Sequence, residues 1–140
     1  PWKNIFAASG IAHVLIGATG AAILASVGSG LLGEYLSNTT AHAAVQRDFL
    51  LVYGIVNNGL WNLLEMGIFG IFMLGAAPVV RRYGKAMYYL TILLGLAGIL
   101  DMVGHTFQWH MLADIGLNIY LLLAPVWAVW LGIRWLREKP

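Results

Sequence analysis

Apolar residues run almost without interruption through four stretches of the chain, about Ile5 to Leu32, Phe49 to Val80, Met87 to Phe107 and Met111 to Trp135. Polar residues gather in the short breaks between them. A helix needs roughly 20 such residues to cross a hydrocarbon core, so each stretch is long enough to span. The runs are continuous rather than alternating, which excludes the period-two pattern of membrane β-strands. The expected fold is therefore all-α, an integral membrane four-helix up-and-down bundle. The short connections make residues 1–140 a single four-span domain.

Small residues mark the first helix: Gly10, Gly17, Gly20, Ala21, Ala25 and Gly28. In lipid such residues let backbones approach and gain dispersion contacts, so this helix is expected to pack centrally. Gly33 and Ser37-Asn38 punctuate the loop that follows, and nothing between Ala41 and Asp48 breaks a helix, so the second helix is expected to begin near Thr40 and to end at Pro78. Pro125 removes a backbone donor inside the fourth helix and frees the Leu121 carbonyl, which predicts a kink. The first apolar run is longer than a signal-peptide core and no small-residue cleavage site with a soluble domain follows it, so it reads as a retained helix. Asn38-Thr39-Thr40 fits the N-x-[ST] glycosylation pattern, but three-residue patterns arise often by chance and this one carries no weight.

Composition places these helices in lipid: 60% of residues are hydrophobic and 10% charged, with mean hydropathy +0.77. With four spans, both termini and the middle loop share one side. That side carries Lys3, Arg81, Arg82, Lys85, Arg134, Arg137 and Lys139, against Arg47 on the other. By the positive-inside rule both termini are cytoplasmic, in a plasma membrane or the inner membrane of a Gram-negative cell. The pI of about 9.2 thus reports topology, and no basic stripe on a soluble element suggests nucleic acid as a partner. Trp2, Tyr83, Tyr88, Tyr89, Trp130 and Trp135 lie toward the inner boundary and Tyr35, Tyr53 and Trp109 toward the outer one, as aromatic belts do. The chain has no cysteine, which excludes disulfides, thiolate zinc sites, iron–sulfur clusters and covalently attached haem c.

Chemistry is to be sought among polar groups that lipid penalises, at about 2.5 to 3.5 kcal/mol for an ionisable side chain at mid-span. Glu65, Asp101 and Asp114 lie inside predicted spans and should face the bundle interior. Asn58, Asn62 and Glu65 fall at i, i+4 and i+7 on one helical stripe, with Asn57 beside it, and Asn118 follows Asp114 by one turn. At 1.5 Å per residue, Asp101, Asp114, Asn118 and Asn58 lie roughly 9 to 12 Å below the outer boundary, while His13 and Glu65 lie about 12 to 15 Å from the inner one. His13 and Glu65 are therefore expected to pair, either as an interhelical hydrogen bond or in a proton-relay or ligand-orienting role, and with Asn58, Asn62 and Asn118 they are the second candidates for ligand binding or proton relay.

Asp101, His105, His110 and Asp114 form a palindrome, D-x3-H-x4-H-x3-D, whose midpoint lies between Phe107 and Gln108. If the chain reverses there, the four side chains can converge at the outer end of the third and fourth helices. Three readings stand. Asp114 stabilises the N-terminal turn of the last helix while the imidazoles occupy a wet interface. Alternatively the four form an N/O ligand set for Zn, Cu, Fe or Mn, with His42 as a further nitrogen. In the third reading Asp101 orients His105 in an acid/base or ligand pocket without metal. A haem held by two histidines is disfavoured, because His13 and His105 lie at different depths. The favoured function is binding of a metal ion or small ligand in a polar His/Asp/Asn site in the extracytoplasmic half. The alternatives are a non-catalytic accessory subunit and an oligomeric small transporter or channel, a single copy being closed by Leu and Phe in its inner third. The expected partners are the bilayer, other membrane subunits or further copies of the chain, and whether there is an enzymatic reaction stays open.

Overall fold

The computed structural model describes residues 2–37 and 42–137, with side chains from residue 4 onward. Its elements are α1 (Trp2–Ser37), α2 (His42–Gly54), a π-helical stretch (Ile55–Glu65), α3 (Met66–Val80), a 3-10 turn (Arg81–Tyr83), α4 (Lys85–Thr106) and α5 (His110–Arg137). The elements from α2 to the 3-10 turn form one continuous rod, so the described residues make four helices long and apolar enough to cross a membrane. The Asn38-Thr39-Thr40 pattern, the expected helix start near Thr40 and the basic Lys139 lie outside the described residues, as do the side chains of Trp2 and Lys3.

Two reversals fix the order of the last three helices. Gly84 adopts φ 122°, a conformation that side chains resist, and it separates the 3-10 turn from α4. Pro78 does not end its helix, contrary to expectation: α3 runs on to Val80. A proline disturbs the turn before it rather than the residues after it, so the helix continues to the glycine. At the other end Gln108 takes φ 57°, and the Trp109 N–H donates to the Gly104 carbonyl at 2.7 Å. The chain thus reverses at the midpoint of the palindrome. α5 passes through Pro125 as one helix.

Each helix packs against its neighbour in sequence. Glycines set the closest approaches, but not where the sequence suggests. A Cβ at Gly98 would stand 2.7 Å from the Met66 carbonyl, and one at Gly116 would stand 2.6 Å from both the Ala97 carbonyl and the Asp101 nitrogen. Here backbone meets backbone, which joins α4 to α3 on one side and to α5 on the other. The second rod and α4 are therefore the centre of the bundle.

The small residues of α1 behave differently. Gly10, Gly17 and Gly20 receive the side chains of Phe72, Glu65 and Trp61, whereas Gly28, Gly30 and Gly33 face open space. α1 is thus peripheral, which corrects the expectation of a central first helix. Small residues permit a close approach, yet here bulky side chains fill the space that they leave.

Helix lengths also differ. α1 has 36 residues, about 54 Å, against 22 in α4, about 33 Å. The end of α1 and the start of α2 therefore project beyond the reversal at Gln108. Tyr35 and His42 join them, with rings stacked at 4.0 Å and the His42 Nε2–H donating to the Tyr35 carbonyl at 2.7 Å.

Candidate functional site

Asp101 is fully buried on α4, held between that helix and α5 where Gly116 comes closest. One turn later, His105 Nδ1 lies 3.1 Å from Asp101 Oδ1 and 3.1 Å from the Asp101 carbonyl oxygen. The angles favour the carbonyl, since neither carboxylate oxygen of Asp101 has an aligned hydrogen bond. With the proton on Nδ1, Nε2 is an acceptor, and the Asn62 amide donates to it at 3.1 Å. A chain of contacts thus leads from a buried carboxyl through an imidazole to an amide on the neighbouring rod.

Asn62 in turn lines a groove. Its other walls are Gly17 of α1, Tyr53 of α2, Asn57, Trp61 and Glu65 of the π-helical stretch, Met66 of α3, and Leu117 and Tyr120 of α5. The groove has a volume of about 490 Å³, within the range of small-molecule sites. It opens between α1 and α5, the two outer helices. Glu65 stands at its edge with His13 Nδ1 at 3.3 Å from Oε1, a charge-pair distance without hydrogen-bond alignment. Gly17 makes room for that carboxylate, since a Cβ there would meet Oε1 at 2.7 Å. Trp61 is anchored by a long hydrogen bond from Nε1 to the Gly17 carbonyl, 3.4 Å.

Toward the end that carries the termini the groove is closed by rings and sulfur. His13 meets Phe69 at 5.0 Å, and Phe69 meets Tyr120 edge-on at 4.9 Å. Met66, Phe69, Met73 and Leu94 form the apolar core there, flanked by Phe72, Leu123 and Trp127. The buried hydroxyl of Thr91 nearby is satisfied: it donates to the Met87 carbonyl at 2.7 Å and accepts from Trp127 Nε1 at 2.7 Å.

The structure brings together only part of the expected palindrome. Asp101 and His105 are in contact, but His110 and Asp114 are exposed on the first turns of α5, and so is Asn118, whose amide donates back to the Asp114 carbonyl at 2.7 Å. Among the described residues no group of three or more His, Cys, Asp and Glu side chains is gathered as metal ligands would be. The cause is the rotation of α5, which turns Ala113 and Gly116 inward. His42 is engaged at the far tip of the first hairpin.

The Asn58–Asn62–Glu65 stripe is altered as well. Hydrogen bonds of i→i+5 type stack residues five apart, so Asn57 and Asn62 share the groove while Asn58 turns outward and accepts from the Asn57 amide at 3.1 Å. Such π segments are frequent at functional sites. Tyr53, Trp61 and Tyr120 are groove residues that the sequence reading missed. Tyr120 carried a signal, for a tyrosine ten residues inside α5 is too deep for an aromatic belt.

Compared with known protein families, curated proteins and solved structures, the chain matches none.

Proposed function

We propose that this chain is an integral membrane protein of four spans that binds a small organic molecule in the groove between α1 and α5. The observation that carries this reading is the polar lining of the groove by Asn57, Asn62 and Glu65, at mid-height on a rod whose exposed side chains include Leu51, Ile55, Leu63 and Ile71. In lipid such polar groups are costly, and they persist where they meet water, one another or a ligand. Asn62 spends one N–H on His105 and has its Oδ1 and second N–H for the groove. The Asp101–His105 pair acts through that amide by holding its orientation.

The membrane placement rests on the four long apolar helices and on charge. Arg82, Tyr83, Arg134 and Arg137 line one recess at the end of the bundle that carries the termini, which suits a cytoplasmic surface and anionic headgroups. The projecting α1–α2 hairpin then lies on the extracytoplasmic side of the plasma membrane.

Cysteine labelling tests the groove directly, because the natural chain has no thiol. Maleimides react with thiolates, which form in water and not among acyl chains. Asn57→Cys is expected to react with a charged, membrane-impermeant maleimide, whereas Leu122→Cys, on the exposed apolar face of α5, is not. An inert thiol in a folded Asn57→Cys variant would mean a lipid-filled cleft and would end this proposal.

A further inference from the structure

The residues around the groove differ in what they offer a ligand, and the difference has a sign. Tyr53, Trp61 and Tyr120 present aromatic rings, Asn57 and Asn62 present amides, Met66 and Leu117 are apolar, and Glu65 supplies the one formal charge among the lining residues. None of these side chains is basic. An aromatic face attracts a cation through its quadrupole, most strongly for Trp, and the attraction grows when the cation is stripped of water. The partly buried Glu65 carboxylate has the same preference with longer reach, because the dielectric around it is lower than that of water. An anion in the same place would meet a repelling carboxylate.

Resting on the reading of the groove as a ligand site, we infer that its ligand is a hydrophobic organic cation, held by Glu65 and boxed by Tyr53, Trp61 and Tyr120. A small hydrated metal ion does not fit this chemistry, since the groove offers one carboxylate and no gathered set of three His, Cys, Asp or Glu donors among the described residues. The groove runs inward from the outer end of α4, where Asn62 meets His105, to Tyr120, more than two turns inside α5. Rings or alkyl groups around the charge would match Met66, Leu117 and the aromatic walls. His13 is the nearest competitor for the carboxylate, its Nδ1 3.3 Å from Glu65 Oε1, so a bound cation would displace the imidazole from that side.

Tetraphenylphosphonium and tetraphenylborate share size and shape and differ in the sign of their charge. The full chain carrying Asn57→Cys, in nanodiscs, is exposed to a charged maleimide in the presence of either ion. Tetraphenylphosphonium is expected to protect the introduced thiol in a saturable manner, and tetraphenylborate is not. Adding Glu65→Gln should weaken the protection roughly tenfold or more, as loss of a charged contact does, while Glu65→Asp retains the preference for the cation and His13→Gln tightens it. Equal protection by both ions, or protection by the cation that survives Glu65→Gln unchanged, would overturn the inference while leaving a water-filled groove intact. No protection by either ion also overturns it. An Asn57→Cys thiol that never reacts overturns the underlying reading of the groove instead.

Discussion

Replacing Gly116 by Ala is expected to destabilise the bundle by about 2 kcal/mol, and replacing it by Val to prevent assembly of a folded monomer. The new Cβ would stand 2.6 Å from the Ala97 carbonyl and the Asp101 nitrogen, and both are backbone atoms of a helix that cannot move aside alone. α4 and α5 would have to separate along much of their contact. Ala is the better helix former by about 1 kcal/mol, so any loss reports the collision and not a weakened helix. Gly30→Ala is the matched control, because that position faces open space and should gain slightly. Thermal unfolding of the purified proteins in detergent, followed by circular dichroism and size-exclusion chromatography, measures both. If Gly116→Ala were as stable as the parent, or Gly30→Ala as damaging, the close packing of α4 on α5 would be wrong.

That packing also decides which polar residues become a site. Gly116 and Ala113 turn toward α4, and the same rotation carries Asp114 and Asn118 to the exposed side. The apolar runs made the four helices legible, since length and continuity suffice to recognise a span. The rotation of α5 was harder to read, because a helix that is apolar nearly all round has no hydrophobic stripe to point inward. Its clue was the spacing of Ala113, Gly116, Leu117, Tyr120, Leu123, Ala124 and Trp127, which follows one helical face and begins with two small residues. Matching depth in antiparallel helices was enough to pair His13 with Glu65, now seen at 3.3 Å, and the i, i+4 rule was enough to join Asp101 to His105. The π-helical stretch was not legible, because Ile55–Glu65 contains no proline and a single Gly59 inside an apolar run signals no particular change of register. It exchanges Asn58 for Asn57 in the groove, and with that the geometry of the candidate site.

The Asp101–His105–Asn62 chain should respond unequally to losing its two ends. His105→Ala removes the imidazole 3.1 Å from the buried Asp101 Oδ1, a carboxyl whose oxygens have no aligned hydrogen bond among the described residues, and it strands the Asn62 amide. The expected cost is about 2 to 3 kcal/mol, the penalty of a buried polar group with nothing to meet it. Asp101→Ala strands nothing comparable. The His105 Nδ1–H donates to the Asp101 backbone carbonyl, which the substitution leaves in place, and Nε2 continues to accept from Asn62. Its cost should be no more than about 1 kcal/mol from the small void left behind. In the double variant the orphaned carboxyl is gone, so the protein should recover part of what His105→Ala lost, a coupling readable from a double-mutant cycle on unfolding free energies. A larger loss for Asp101→Ala than for His105→Ala would show that the carboxyl is what anchors the imidazole. The positioning of Asn62 over the groove would then depend on Asp101 rather than on the backbone of α4.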